Sequence, residues 1–272
     1  MSNVIGIIGA MDIEVSGLIS KMDDVRSTVC GGITFTEGKL CGKNVVISKC
    51  GIGKVFAAMC AQTMILKFAP DIIINSGVAG AISENLNIMD AVIATKVVQH
   101  DMDTSPLGDP KGLISGINVV YIDTDTSVSE SICNAAKALD VNTVRGIIAS
   151  GDQFVANSER KQDISTLFNA EACEMEGASI GQVCYVNNVP FAIMRTISDG
   201  KGEAVRLNCG SKTISIDAKD VPLDWTWYEF EPFRPRSSDR ISVRPGHRVK
   251  DRGGRMAFDK ILVDEFEITK IR

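Results

Sequence analysis

Up to about residue 200, short apolar runs alternate with stretches in which small and apolar residues recur at helical spacing, the pattern of an α/β domain. Residues 4–10 are almost continuously apolar and predict a buried strand, with Asp12 placed to cap the helix that follows. Residues 32–37 and 44–49 are β-rich and predict two strands joined by a turn containing Gly42. Gly51-Ile52-Gly53 reads as a tight strand-to-helix turn that opens a small-residue helix over 54–68. A second buried strand is predicted over 71–75, running into Ser76-Gly77-Val78-Ala79-Gly80. Further strands are predicted over 91–98, 119–122 and 144–149, and a helix near 129–139. Residues 176–186 predict a helix leading into a strand over 190–197.

After about Ala204 the pattern changes. Residues 205–272 hold both tryptophans, four of the eight prolines and nine of the thirteen arginines, with 14 basic against 11 acidic side chains. No apolar helical stripe is visible there, but short β-like runs occur over 213–216, 225–230, 241–243 and 258–263. Two domains are therefore expected: an α/β domain over 1–204 and a separate β-rich segment over 205–272.

Composition narrows the function classes. A net charge of −5 offers no general attraction for nucleic acid or an anionic membrane, so neither is expected as a partner. The eight cysteines show no CxxC or metal-ligand spacing. Cys50, Cys60, Cys173 and Cys184 lie in or beside apolar segments, where a free thiol packs as a small hydrophobe. The N-terminal apolar run lacks a basic flank and is too short for a signal peptide or membrane span, so a cytoplasmic location is expected.

The chemistry gathers at three acidic sites, each at the edge of an apolar run: Glu14, Glu174-Met175-Glu176, and Asp199 in Arg195-Thr196-Ile197-Ser198-Asp199. Carboxylates at the ends of buried elements are partly desolvated, and their pKa values can be tuned for proton work. Each has a plainer reading. A lone acid after a strand commonly caps a helix, and Glu14 would suit the positive end of a helix dipole. One of the neighbouring pair Glu174 and Glu176 could serve packing alone.

Six segments in order carry a family resemblance: residues 5–14, 51–54, 73–80, 150–155, 174–176 and 195–199. Over about residues 4–203 the chain resembles the 5′-methylthioadenosine/S-adenosylhomocysteine nucleosidases of the nucleoside phosphorylase/hydrolase superfamily. The resemblance implies a mixed β-sheet flanked by helices, a homodimer, and no metal or cofactor. It implies hydrolysis of the N-glycosidic bond of methylthioadenosine and S-adenosylhomocysteine, releasing adenine and a thioribose. By the same resemblance Asp199 protonates the purine at N7, and Glu14 deprotonates the attacking water beside Arg195. Glu176 accepts from the ribose hydroxyls, and Met175 packs on the sugar. Phe154 stacks on the purine while the backbone of Val155 reads its edge. Leu107 enters the alkylthio pocket from the partner subunit. Met11, Val78, Glu174 and Ser198 complete the implied substrate-binding set.

The same scaffold also serves purine nucleoside phosphorylases, so fold alone does not choose between water and phosphate. Related phosphorylases hold phosphate with an Arg and a Ser where this chain has Asn75 and Val78, and Glu14 would repel the anion. Water is the expected nucleophile, although Val78 also replaces a serine that many nucleosidases carry. Beyond Asp199 the resemblance fades at Gly200-Lys201-Gly202-Glu203-Ala204, with no counterpart for the closing helix or the aromatic lid. The tail weakly resembles the end of a carbohydrate-associated β-sandwich module. An inactive nucleosidase-like domain displaying a carbohydrate-binding tail is thus an alternative, with Trp225, Trp227 and Tyr228 as either a sugar platform or core. The interleaved charges of the tail read as a solvated β surface, Met59 and Met64 as a helix core or dimer face, and His100 as either a structural partner or a site group.

Overall fold

In a computed structural model the described residues are 4–199 together with three short strands, 205–209, 212–216 and 241–244; Asp199 and these strands are described by backbone alone. The chain divides into two compact units, Met1–Ser198 and Asp199–Arg272. The first part of the chain runs β1 (Val4–Gly9), α1 (Asp12–Ile19), β2 (Asp23–Cys30), β3 (Ile33–Leu40), β4 (Lys43–Lys49), α2 (Lys54–Phe68) and β5 (Ile72–Ala81). It continues through β6 (Ala91–Gln99), β7 (Ile122–Asp123), α3 (Thr126–Ala138), β8 (Thr143–Ser150), α4 (Ser158–Phe168), β9 (Ala170–Glu174), α5 (Gly177–Asn187) and β10 (Phe191–Asp199).

These strands form one mixed sheet in the order β10-β6-β8-β9-β5-β1-β4-β3-β2, with β7 on β6. β1 is parallel to both β4 and β5, and β8 to both β6 and β9, whereas β5–β9 and β6–β10 are antiparallel. β10 also pairs with β5, so β5, β9, β8, β6 and β10 close into a ring. The hairpins follow turn chemistry: Gly31-Gly32 and Cys41-Gly42 are two-residue links with positive φ throughout, as the twist of the flanking strands requires.

The core lies between the sheet and its helices. Ile8, Phe35, Met64, Ile73, Ile148, Ile180 and Ile193 are fully buried in one cluster. Gly6 lets Met64 of α2 approach the sheet; a Cβ there would overlap its sulfur. Cys60 and Cys184 pack in the same cluster, and burial pushes their thiols up to about 11 and about 12, which makes them inert packing groups at neutral pH.

Three local expectations need correction, and one edge strand is new. Asp12 is not the cap: the N-cap is Met11, and Asp12 is the first helical residue, paired with Lys49 at 2.8 Å. Capping falls instead to Glu14, whose carboxylate reaches back to the amides at the helix start. The strand expected over 119–122 is reduced to Ile122–Asp123, with Val119 in an isolated bridge to Ile114. The strand expected over 71–75 runs on through the glycines to Ala81. Finally, β2 is an additional strand at the sheet edge, mostly exposed and polar, which is why no apolar alternation announced it.

In the second unit β11 (Val205–Cys209), β12 (Lys212–Ile216) and β13 (Ile241–Arg244) form a small antiparallel sheet with β11 in the middle. The β-like runs over 225–230 and 258–263, the closing helix, the aromatic lid and the carbohydrate-module likeness all lie outside the described residues.

Candidate active site

The site draws on five strands, β1, β5, β8, β9 and β10, and on the N-terminal ends of three helices, α1, α2 and α5. Glu14, on the first turn of α1, places Oε2 against the amides of Ala10 (2.6 Å) and Met11 (3.0 Å). Its Oε1 accepts from the amide of Val78 in β5 at 3.0 Å. Glu14 therefore joins the end of β1 to the glycine-containing stretch of β5. Gly77 makes this approach possible, because a Cβ there would overlap both the Glu14 carboxylate and the Arg195 guanidinium. No other residue fits between the two charges.

Arg195 of β10 is the centre of the cluster and is only 1% exposed. Its Nη2 pairs closely with Glu174, donates to Asn75 Oδ1 at 2.6 Å and lies 3.5 Å from Glu176. Asn75 passes the anchor on by donating Nδ2 to the carbonyl of Ile8 at 2.8 Å. Arg195 Nη1 donates to the Val78 carbonyl at 3.5 Å, and Nε has no partner among the described residues. Burial lowers the affinity of the guanidinium for its proton, but Glu174, Glu176 and Glu14 outweigh this and hold its pKa above the ordinary value.

The two acids of Glu174-Met175-Glu176 have different surroundings. Glu174 ends β9 and is saturated by the protein: it takes a very short bond from Ser150 Oγ and accepts from the amides of Glu176 (2.9 Å) and Gly177 (2.8 Å), besides Arg195. Glu176 is the N-cap residue of α5, and its Oε1 accepts from the Gly53 amide at 2.8 Å. That amide points at Glu176 because Gly53, the N-cap of α2, has φ +100°, a left-handed value suited to glycine. Burial pushes the Glu176 carboxyl up to about 7; Arg195 and the Gly53 amide pull against this, and Glu174 and Glu14 add to it. Glu176 thus exchanges its proton near neutrality.

The remaining expected residues lie outside the hydrogen-bonded cluster just described. Met11 and Met175 are half-buried beside Glu14 and Glu176 in sequence, and Ser198 donates Oγ to the Ala79 carbonyl at 3.4 Å. Phe154, 60% exposed, and buried Val155 lie on the loop that follows β8. Leu107 sits on a short 3-10 turn, Ser105–Leu107, and is 83% exposed. Asp199 is the last residue of β10, and its side chain lies outside the described residues. His100 is buried, near Arg160 and Cys173, and burial holds its pKa below the usual value. The sequence reading did not single out Asn75 as an Arg195 anchor, Ser150, Gly77 or the Gly53 amide. Only the glycine spacing at 51–53 and 77–80 carried a trace of them.

The model of the phosphorylase superfamily matches residues 4–212. The 5′-methylthioadenosine/S-adenosylhomocysteine nucleosidase of Shewanella sediminis is 41% identical over 197 residues, which cover 72% of this chain and 85% of that protein. The chain belongs to the 5′-methylthioadenosine/S-adenosylhomocysteine nucleosidase family. Among solved structures of such nucleosidases, a Helicobacter pylori variant holding 5′-methylthioadenosine in its active site superposes with a TM-score of 0.70 at 37% identity, covering 73% of this chain and 86% of that one. The Neisseria meningitidis nucleosidase in complex with methylthio-immucillin-A gives a TM-score of 0.70 at 35% identity, over 72% and 85%. The mixed sheet and flanking helices of this nucleosidase-family chain are thus the fold of its relatives.

Proposed function

We propose that this chain hydrolyses the N-glycosidic bond of 5′-methylthioadenosine and S-adenosylhomocysteine, releasing adenine and a thioribose. The observation that carries the reading is the anionic cluster around Arg195. Bond cleavage builds positive charge on the sugar, and buried carboxylates oppose that charge in a low-dielectric setting where they act strongly. In this reading Glu176 accepts from the ribose hydroxyls, and Met175 and Met11 pack beside the sugar. Glu14 takes the proton of the attacking water. Its link to the Val78 amide, and the contact of Arg195 with the Val78 carbonyl, support a nucleophile held at that edge. Asp199 protonates N7 of the leaving base, with Ser198 beside it in the chain. Phe154 stacks on the purine, and the Val155 backbone reads its edge. Glu174, saturated by its protein partners, serves this chemistry by fixing Arg195.

Water is preferred over phosphate for an electrostatic reason. An anion entering beside Glu14 would meet Glu174 and Glu176 as well, while the single guanidinium is already engaged by Asn75 and Glu174. Adenine release from methylthioadenosine by the purified chain in phosphate-free buffer tests this. Turnover that appears only when phosphate is added would reassign the chain as a phosphorylase.

A homodimer is part of the proposal, with Leu107 of one subunit lining the alkylthio pocket of the other. Ile52, Val55, Phe56 and Met59 form an exposed apolar face at the start of α2, larger than isolated surface hydrophobes explain. Sedimentation at micromolar concentration would test it. A cytoplasmic setting is proposed as well. Seven described cysteines are free, as a reducing compartment permits, and no helix among the described residues is long and apolar enough to cross a membrane. The segment 205–272 is proposed to be dispensable, so that deleting 206–272 leaves specific activity unchanged.

A further inference from the structure

A second polar network lies beside the carboxylate cluster and is not used by the mechanism above. Lys54, the first residue of α2, sends its ammonium to Asp101 Oδ1 at 2.7 Å and to Gln99 Oε1 at 3.2 Å. The other oxygen of Asp101 accepts from the Asp152 amide at 2.8 Å. Asp152 Oδ1 in turn accepts from the Lys54 amide at 2.7 Å. Three residues from three separate segments therefore close a circuit in which both oxygens of Asp101 are used. The Lys54 and Asp101 side chains are only 19% and 14% exposed, so this pair is far less screened than the surface pairs of the molecule. Burial alone would raise the Asp101 carboxyl; Lys54 and the Asp152 amide overcome it and hold it below its ordinary value.

The circuit matters for what it joins. Gly53, adjacent to Lys54, gives its amide to Glu176, the carboxylate assigned to the ribose. Asp152 is two residues before Phe154 and three before Val155, the pair assigned to the purine. Gln99 Nε2 extends the link by donating to Gln182 Oε1 of α5 at 2.6 Å. A Cβ on Gly53 would come within 3.0 Å of the Asp152 carboxylate, so the glycine that aims the amide at Glu176 also leaves room for the clamp.

We propose that Lys54, Asp101 and Asp152 form a positioning clamp that holds loop 151–157 in register with the Gly53 amide and Glu176, so that base and sugar of one nucleoside are gripped in a fixed relation. The inference rests on the assignment of base and sugar made above. In this role none of the three need touch the reacting atoms; they act by fixing the distance between two half-sites. Such a clamp has a signature that plain structural support lacks. A ligand that spans both halves gains from their fixed spacing, whereas a ligand that fills one half does not.

The test is calorimetric titration of the full chain with adenine and with a carbon-linked adenosine analogue whose base cannot leave. In Asp101→Asn and Lys54→Met the analogue is expected to bind about tenfold or more weaker, while adenine stays within about twofold. Lys54→Arg should recover most of the loss, and the double variant should be no worse than the weaker single one. Parallel weakening of both ligands, unchanged binding of both, or additive losses in the double variant would each overturn the clamp. Binding of the analogue by the unmutated chain without adenine release from methylthioadenosine would overturn the hydrolase reading alone and leave this comparison intact.

Discussion

The side of the site proposed for the sugar and the side proposed for the base are made differently. Around Arg195 the guanidinium, Glu174 and Glu176 are buried and Glu14 is half-buried, and each is held by at least one backbone amide or carbonyl or by a neighbouring side chain. Around Phe154 the chain is a loop with an exposed aromatic ring, tied to the frame through Asp152. The difference teaches which part of the binding energy is set in advance. Charges that must oppose a developing cation work best when their surroundings do not have to reorganise, and a closed hydrogen-bonded cluster provides that. A flat purine, in contrast, needs an aromatic face that it can reach from solvent, so exposure there is compatible with the task.

Substitutions on the two sides should differ in what they damage. The largest effect is expected for Asp199→Asn, which removes the proposed proton donor to the base: turnover should fall by roughly 10²–10⁴-fold with analogue binding retained. Steady-state kinetics beside titration would check it, and near-normal turnover would remove Asp199 from the mechanism. Arg195→Met should damage folding first. It leaves Glu174 and Glu176 buried without their counter-charge, a change that costs about 3–5 kcal/mol and is read from the urea midpoint. Asn75 and Glu174 would lose their anchor with it.

Glu176→Gln sharpens the comparison through pH. The native carboxyl titrates near 7, above its ordinary 4.5, so between those values the folded state holds more protons than the unfolded one. The native protein should therefore lose stability as pH rises from about 5 to 7.5, by roughly 2–3 kcal/mol. The glutamine variant should show a flatter profile and exceed the parent in stability at pH 8; identical profiles would refute the shifted titration. Phe154→Ala, on the base side, should leave the urea midpoint within experimental scatter and weaken adenine binding by about 1–2 kcal/mol, the scale of one base-aromatic stack.

The same contrast explains what could be read from the chain alone. β1, β6 and β10 are largely buried and announce themselves as apolar runs, and shorter apolar stretches mark β5 and β8. β2 does not, because an exposed edge strand has no side to hide; α4 is dominated by polar residues, and β9 is a five-residue strand with two glutamates, so neither shows an apolar run. In the site, Glu14, Glu176 and Arg195 were legible because charged residues stand out at the ends of apolar runs. Their partners were not. Backbone amides at Gly53 and Val78 carry no side-chain signature, and whether Glu174 faces ligand or protein depends on Ser150 and Arg195, distant in sequence. The clamp of Lys54, Asp101 and Asp152 was invisible for the same reason: each looks like an ordinary surface charge until topology brings the three together.

The ring of five strands has a consequence for synthesis. β10, the strand that closes it between β5 and β6, is also the one that delivers Arg195, and it is translated after every other member. At about 5–20 residues per second, more than a hundred residues separate the emergence of β5 from that of β10, an interval of several seconds. During it β5, and β6 once made, await their shared neighbour, and near its end Glu174 and Glu176 join Glu14 before the cation they surround has been made. A ribosome stalled before residue 190 would therefore hold a chain that is acidic at its heart and sticky at its seams, a natural client for a holding chaperone. Completion of a single strand would neutralise the heart and seal the seam together.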